Sequence, residues 1–402
     1  MTADTLLERI TDYGNRPDPY PLYAELREAG PVVRQSDGSY LIGTYHEVAA
    51  LLHDPRISAD PRSRTAPSPG PSQDAPKPPF LRLDDPEHHR LRTLAMRPFG
   101  PPHTPGRIDA MRGEITRITE EVLGSLGTGR QIDVVDDFAY PLPVTVICRL
   151  LGVPRKDEPL FRGWTDVLVA SADVRPADDT TTERDRAGRQ ARTEMGQYLV
   201  DLAEQRRGHP TDDILSEFVN EPDPALRLSR EELAQTAVLL LIAGHETTVN
   251  LITNGVLTLL RHPDQLDRLR REPELLPNAI EELLRYEPPV HMRERIPLSD
   301  VEVAGTTLPK GTSVVLALAS GSRDPKRFDQ PDRFDPARPD NEHFGFGSGV
   351  HLCYGAPLAR LEAQAALGAL LPYLGTAALV QDPPLYRQNA MLRGPRHLPV
   401  RL

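Results

Sequence analysis

Apolar positions recur mostly at helical spacing along this chain. One segment carries apolar residues that step by three and four, namely Ile108, Met111, Ile115, Ile118 and Val122. Such spacing predicts a helix with one buried face. Further helices are predicted at 19–29, 46–52, 86–99, 138–151, 157–172, 184–206, 278–286 and 356–371. Short β-branched runs predict strands at 132–135, 301–304 and 314–319, and Asp37-Gly38 predicts a hairpin turn. The pattern therefore predicts a mainly α fold with a minor β portion.

The longest predicted element is a helix over residues 230–261, which contain no proline. Ser229 and Glu232 have the spacing of a capping box and mark its start. At 1.5 Å per residue the helix would be about 48 Å long, enough to cross the whole molecule. Residues 237–244 are almost wholly apolar, so we expect this helix to be buried on all sides.

Proline density interrupts the helical pattern between residues 58 and 85. Prolines occur there at 61, 67, 69, 71, 76, 78 and 79, and each removes a backbone donor. The sequence predicts a flexible loop without regular elements, of the kind that often serves as a lid. The polar stretch at 173–183 predicts a second flap between two helices.

Charge and composition exclude several classes of protein. The net charge is −11 over 402 residues and the basic residues are scattered, which argues against a nucleic-acid partner. No run of 18 apolar residues exists and the N-terminus lacks a signal pattern, so we expect a cytoplasmic protein without a membrane anchor. Two cysteines argue against a disulfide framework, and we expect Cys148 to be a core thiol.

Candidate chemistry concentrates in the glycine-rich stretch 343–361, which holds Cys353. Glycines at 345, 347, 349 and 355 allow backbone conformations closed to other residues and close approach of a flat group. Cys353 precedes a predicted helix, whose N-terminal N–H groups would lower the thiol pKa and favour the thiolate. A thiolate in a dry pocket is a metal ligand, whereas a buried inert cysteine is the plainer alternative.

The spacing Phe346-x-x-Gly349-x-His351-x-Cys353-x-Gly355 closely resembles the haem-binding loop of the cytochrome P450 family. The resemblance implies that Cys353 is the axial thiolate on the iron of haem b. A dinucleotide loop is the weaker interpretation, because the third glycine of that motif would fall at Val350. His351 as the iron ligand is a further alternative, and the C-x-x-C-H pattern of covalent attachment is absent.

The same resemblance implies a P450 fold with haem between the long central helix and the helix after the cysteine. Segments from residue 88 to residue 353 must then converge on one cofactor, so we expect a single domain over 1–402. The side chains expected at the haem propionates are His88, Arg92, Arg295 and His351. The other expected cofactor-binding residues are Ala243, Gly244, Phe346, Gly347 and Gly355.

Glu282-Leu-Leu-Arg285 matches the family's E-x-x-R motif, and Arg333 matches its later arginine. The resemblance implies a buried structural cluster of Glu282, Arg285 and Arg333. An ordinary surface ion pair on a helix is the alternative.

Ala243-Gly244-His245-Glu246-Thr247 resembles the family's acid–alcohol motif. Cleavage of dioxygen consumes protons, which a carboxylate can relay and an alcohol can deliver through a held water. Glu246 and Thr247 are the predicted catalytic residues, and His245 is assigned no role. Because Gly244 weakens the helix and the Thr247 hydroxyl can bond the carbonyl of Ala243, we expect a local opening there.

The implied function is a haem-thiolate monooxygenase that inserts one atom of O₂ into a lipophilic organic substrate, by hydroxylation or epoxidation in secondary metabolism. We expect electrons from a ferredoxin and its reductase, so that NAD(P)H acts only through these partners, and a monomeric enzyme. Arg97 and Arg360 are candidates for the ferredoxin-docking face.

Two rival functions stay open at this point. One is the same fold used for peroxide-driven oxidation, dehydration or ring coupling, and the other is a haem-based binding or sensor protein. The substrate pocket is expected between the two flexible segments and a set of mostly apolar residues. These residues are Leu239, Leu240, Ala243, Val290, His291, Met292 and Met391.

Overall fold

A computed structural model of the chain describes residues 5–65, 78–99, 106–126, 131–172 and 182–402. Most of the predicted flap at 173–183, and the centre of the loop at 58–85, lie outside these residues. In the part of that loop that is described, the regular pieces are short: a strand at Ile57–Ser58 and single 3₁₀ turns at Pro61–Ser63 and Phe80–Arg82.

Helices form most of the described structure. They are α1 (Leu6–Thr11), α2 (Tyr20–Ala29), α3 (Tyr45–His53), α4 (Glu87–Met96), α5 (Arg107–Ala110), α6 (Arg112–Ser125), α7 (Pro141–Leu151), α8 (Glu158–Ala172), α9 (Thr182–Glu204), α10 (Ile214–Asn220), α11 (Arg230–Arg261), α12 (Pro263–Arg271), α13 (Leu276–Tyr286), α14 (Leu318–Gly321) and α15 (Ala356–Leu374). A π-helical turn at Val134–Ala139 precedes α7. The mainly α prediction is confirmed.

The strands form three small sheets. They are β1 (Val33–Arg34), β2 (Tyr40–Ile42), β3 (Ile57–Ser58), β4 (Gln131–Asp133), β5 (Arg293–Pro297), β6 (Val301–Val303), β7 (Thr306–Leu308), β8 (Val314–Leu316), β9 (Ala378–Leu379) and β10 (Pro399–Arg401). The largest sheet has the order β1-β2-β8-β5-β3, and β4-β10-β9 and β6-β7 form the others. The predicted hairpin is present as β1 and β2, which pair antiparallel across Asp37-Gly38.

In the largest sheet, β5 carries side chains toward the site described below. It pairs antiparallel with β8, with Arg293 opposite Leu316 and Arg295 opposite Val314. Because successive side chains of a strand point to opposite faces, Arg293 and Arg295 share one face of this sheet. The strand predicted at 314–319 ends at Leu316, and the short helix α14 follows.

α11 has the bounds that the sequence predicts. Both hydrogen bonds of the capping box between Ser229 and Glu232 are present. The helix packs against α7, α9, α13 and α15, and most of its second half is buried. Its length and composition would suffice to cross a membrane, but 72% of its most apolar window is buried inside the protein. Its apolar surface is therefore used by contacts within the fold.

Candidate active site

A cavity of about 410 Å³ lies between α11 and the start of α15. Segments far apart in the chain line it, from Leu52 to Met391. The predicted cofactor-binding residues that line it are Arg92, Ala243, Gly244, Arg295, Phe346, Gly347, His351, Cys353 and Gly355. Thr247 also lines the cavity, so the fold brings the cysteine loop and the centre of α11 to one place.

The cysteine loop reaches α15 through two residues with left-handed backbone, Gly347 (φ 71°) and Gly349 (φ 67°). A Cβ on Gly349 would also collide with the carbonyl of Leu52. Both the backbone angle and the lack of space therefore require glycine at this position. The loop closes where the backbone N–H of Cys353 donates to the carbonyl of Phe346 at 2.9 Å. This closure fixes the direction of the Cys353 side chain into the cavity.

The Cys353 thiol lies just before α15, as predicted, but its pKa is shifted the other way. Burial raises the pKa of Cys353, although the N–H groups of Gly355 and Ala356 and the charge of Arg92 act to lower it. Without a bound cofactor, burial therefore outweighs the lowering of the Cys353 pKa that we expected from the helix N-terminus. A bound cation would supply the missing stabilisation of the thiolate.

Of the four predicted propionate ligands, Arg92, Arg295 and His351 line the cavity, and His88 packs against His351. The rings of His88 and His351 are 4.2 Å apart, and Arg92 donates to the carbonyl of Leu352 at 2.6 Å. Burial, helped by the nearby positive side chains, lowers the pKa of His351 to about 3. This imidazole is therefore neutral at pH 7.

These histidines carry buried nitrogens without a protein partner. They are Nε2 of His88 and Nδ1 of His351. Buried polar atoms normally have hydrogen-bond partners, so an acceptor beside them would complete the site.

The centre of α11 presents Ala243, Gly244 and Thr247 to the cavity. The Thr247 hydroxyl donates to the carbonyl of Ala243 at 2.8 Å, as predicted. The helix is nevertheless continuous from Arg230 to Arg261, so the predicted local opening is wrong for this structure. The Thr247 hydroxyl adds a second hydrogen bond to the carbonyl of Ala243 and leaves the backbone hydrogen bonds of the helix in place. Glu246 is buried beside this segment.

His245 faces away from the cavity. Its ring lies edge-on to Tyr140, with 4.4 Å between centroids, and burial lowers its pKa to about 3. Neither ring nitrogen has a hydrogen-bond partner among the described residues.

Glu282 and Arg285 form a fully buried pair on α13, but the third cation is Arg338 and not Arg333. Arg285 Nε lies 2.7 Å from Glu282 Oε2, and Arg338 Nε lies 3.1 Å from both carboxylate oxygens of Glu282. The Arg333 side chain is exposed, and that residue contributes only its backbone carbonyl to Arg285 and Arg338. The turn at 334–338 returns the later arginine to the core.

Among the predicted pocket residues, Leu239, Leu240, Ala243, Val290 and Met391 line the cavity. His291 and Met292 do not, so their assignment was wrong.

Both misassigned residues point into the core. His291 is buried with its Nδ1 3.0 Å from the hydroxyl of Tyr23, and Met292 packs in the cluster that contains Tyr23 and Leu26. The isolated bridge between Val290 and Leu392 fixes which side chain of this segment faces the cavity.

Sequence reasoning missed two acidic residues of the cavity wall, Glu294 and Glu362. Glu362 on α15 is buried, burial raises its pKa well above the ordinary value, and its Oε2 has no partner among the described residues. The available signal was its helical spacing from Leu358 and Ala366, which places an acid in an otherwise apolar stripe.

Arg360, one helical turn beyond Ala356, is paired rather than free. Its Nε and Nη2 lie 2.7 Å from the two carboxylate oxygens of Glu281, and His343 Nε2 lies 3.3 Å from the same carboxylate. Burial acts to raise the pKa of Glu281, but the hydrogen bonds from Arg360 and His343 prevail and lower it to about 2. The pair joins α13 to α15.

This pair predicts an acid-dependent loss of stability. Because the folded-state pKa of Glu281 is lowered, its contribution is present above the ordinary carboxyl pKa and is lost as pH falls toward about 2. Arg360→Gln should lower the free energy of unfolding by about 1 kcal/mol at pH 7, since Arg360 is partly exposed. The difference from wild type should shrink at pH 3 in urea unfolding.

The exposed Arg34→Gln serves as the control for removal of a positive charge. If Arg360→Gln lowered the free energy of unfolding equally at pH 7 and pH 3, the stabilising pair of Arg360 with ionised Glu281 would be contradicted.

Comparison with known proteins agrees with this geometry. The family model described as cytochrome P450 matches residues 41–398. The chain is 42% identical to the cytochrome P450 monooxygenase PikC of Streptomyces venezuelae, over 96% of this chain and 91% of that protein. It is 39% identical to 6-deoxyerythronolide B hydroxylase of Saccharopolyspora erythraea, over 96% of each.

A solved structure extends the similarity to the whole fold. The ligand-free structure of CYP164A2 from Mycobacterium smegmatis matches with a TM-score of 0.86 and 37% identity, covering 99% of both chains. The chain belongs to the cytochrome P450 family.

Proposed function

We propose that the chain is a monooxygenase that inserts one oxygen atom from O₂ into a lipophilic organic substrate by hydroxylation or epoxidation. The observation that carries this proposal is the convergence of Cys353, Thr247 and a set of cationic and imidazole side chains on one cavity. The named hydroxylase and monooxygenase relatives support the same class of reaction.

The family implies haem, and the residues present fit it. The cavity offers a thiol that a metal would stabilise as thiolate, and glycine backbone at Gly347 and Gly355 for the approach of a flat ring. Arg92 and Arg295 supply cations for two carboxylates, and the orphan nitrogens of His88 and His351 supply the remaining polar contacts. We therefore assign haem b to the cavity, with Cys353 as the iron ligand.

When bound, haem with a thiolate ligand supplies the chemistry of O₂ activation. The protein holds and moves the protons. The Thr247 hydroxyl lies at the cavity wall, where it can hold a water, and the buried Glu246 carboxyl can relay protons toward it from outside. The apolar side chains of α11 restrict other water from the same space.

Thr247→Ala tests the proton-delivery role. We expect haem and substrate binding to persist, while product formed per NAD(P)H consumed falls about tenfold and hydrogen peroxide rises, because the proton donor is lost. Peroxide and product are measured together in the reconstituted reaction.

Thr253→Ala is the matched control. The Thr253 hydroxyl lies six residues further along α11, away from the cavity, and makes the same kind of bond, to the carbonyl of Val249 at 2.9 Å. Unchanged coupling in Thr247→Ala would remove Thr247 from the mechanism.

Electrons would come from a ferredoxin and its NAD(P)H-dependent reductase, which makes NAD(P)H an indirect cofactor. The basic face expected at Arg97 and Arg360 is neutralised, because Arg97 pairs with Glu221 at 3.2 Å and Arg360 pairs with Glu281. Beside the cysteine, Val350 and Leu352 are exposed, and we assign the docking contact to these apolar side chains.

The chain would act as a single domain and a monomer, since segments of one chain from residue 52 to 391 complete the cavity. Its location would be cytoplasmic. The decisive experiment supplies ferredoxin, reductase, NADPH and ¹⁸O₂ to the holoenzyme with a library of lipophilic compounds. One ¹⁸O atom in the product supports the proposal. Unlabelled product, or turnover that needs peroxide alone, would replace it with another haem-dependent reaction.

A further inference from the structure

Arg293 opens β5 two residues before Arg295, and both line the cavity. The neighbouring side chains have partners: Glu294 accepts from Ser313 and pairs with Arg64, and Arg295 donates to the carbonyl of Glu294 at 2.9 Å. The Arg293 guanidinium has no hydrogen-bond or ion-pair partner among the described residues, and it is open to the cavity.

Several buried arginines of this chain contact carboxylates. Arg285 and Arg338 contact Glu282, and Arg393 contacts Glu287. These contacts follow the general rule that a guanidinium removed from water is paired, because burying an unpaired charge is costly. Within the described part of the chain, Arg293 is half-buried and lacks such a partner at the place where a ligand would lie, and the buried Arg387, away from the cavity, lacks one as well.

A second unpaired cation lies beside it. Arg82, an exposed residue in the turn Phe80–Arg82 near the end of the proline-rich loop, lines the same cavity and has no partner among the described residues. Its positive charge, added to the larger effect of burial, lowers the pKa of Arg293. The Arg293 guanidinium stays charged at neutral pH, since arginine is not deprotonated in proteins.

The charges of the cavity exceed what haem requires. Arg82, Arg92, Arg293 and Arg295 face the cavity, and the haem assigned above brings two propionates. Of the two acidic residues of the wall, Glu294 is paired with Arg64 and Glu362 lies on α15. The four arginines of the cavity therefore outnumber the two propionates.

We propose that Arg293, assisted by Arg82, binds a carboxylate of the substrate. The substrate is then an amphiphilic acid whose apolar body contacts Leu239, Val290 and Met391 and whose charged end lies at β5. A guanidinium and a carboxylate form two parallel charge-assisted hydrogen bonds, which fix the position of the body over the cofactor. This inference rests on the proposed function and narrows its substrate class.

The test uses the holoenzyme and matched probes, namely n-alkanoic acids from decanoic to hexadecanoic acid and the primary alcohols of equal length. Dissociation constants come from the shift in haem absorbance on binding, without any electron donor. Wild type should bind the best acid about 10- to 100-fold more tightly than its alcohol. Arg293→Gln should abolish that preference and leave alcohol binding unchanged, while Arg293→Lys should keep part of it.

Two controls separate this role from others. Arg34→Gln, an exposed charge on β1, should keep the full preference. Arg295→Gln should release haem faster to a haem-scavenging protein, whereas Arg293→Gln should hold haem as wild type does.

Three results would overturn the proposal: equal or no binding of acids by wild type, equal weakening of acid and alcohol in Arg293→Gln, or haem loss in Arg293→Gln that matches Arg295→Gln. The last result would make Arg293 a propionate ligand. Because binding is measured without turnover, a failure of labelled oxygen incorporation would count against the proposed function and not against this assignment.

Discussion

Cys353→Ser is expected to reduce turnover to below about 1% of wild type, because a serine hydroxyl cannot replace the thiolate that favours O–O cleavage. The carbonyl adduct of the reduced variant should also lose the absorbance band typical of thiolate ligation. The loop itself should persist, since its closing bond uses the backbone N–H of residue 353 and the φ values of Gly347 and Gly349.

The second cysteine provides the control. Cys148 is fully buried in α7, away from the cavity, and burial raises its pKa to about 12. Cys148→Ala should retain the spectrum and turnover. Thiolate ligation that survived in Cys353→Ser, or disappeared in Cys148→Ala, would refute Cys353 as the iron ligand.

Glu282→Ala is expected to lower the free energy of unfolding by about 3–5 kcal/mol, because it leaves two guanidinium groups in the core without their carboxylate. Glu282 and Arg285 are fully buried, and Glu282 Oε1 also accepts from the backbone N–H of Asp335 at 3.0 Å. The loss should be seen in urea unfolding and in faster haem release, since this cluster supports the segment that leads to the cysteine loop.

Glu120→Ala is the matched control, because Glu120 is an exposed residue of α6 and its removal should change stability by no more than about 0.5 kcal/mol. The structure also predicts that Arg338→Ala is far more harmful than Arg333→Ala. Equal stability of these two variants would show that the cluster has a different third member.

Sequence reasoning succeeded where the signal is local. The bounds of α11 follow from a capping box, an absence of proline within the helix and Pro263 just beyond its end, all of which act within a few residues. The glycines of the cysteine loop likewise report their own backbone angles, and the spacing from Phe346 to Gly355 sets which atoms close the loop.

It failed where the direction of a side chain depends on a distant partner. Arg333 and Arg338 lie in one turn-rich stretch, and which of them enters the core depends on how that stretch folds over α13. His291 lies next to Val290, but its ring turns to Tyr23, more than 260 residues earlier. Periodicity places such residues on an element without stating what they contact.

Arg293 shows the same limit at the site. The sequence analysis predicts no element at Arg293 and assigns it no role, whereas the pairing of β5 with β8 puts it on the face of Arg295. Only the folded structure shows that the Arg293 guanidinium lacks a partner among the described residues of the cavity.

The wide spacing of the cavity wall in the chain has a consequence for biosynthesis. Cys353 and the loop that holds it leave the ribosome after Arg92 and the middle of α11, because they lie later in the chain. A nascent chain that stops short of residue 353 lacks the sulfur that would hold the cofactor. Capture of haem through this sulfur can therefore begin only after Arg92 and the whole of α11 have been synthesised.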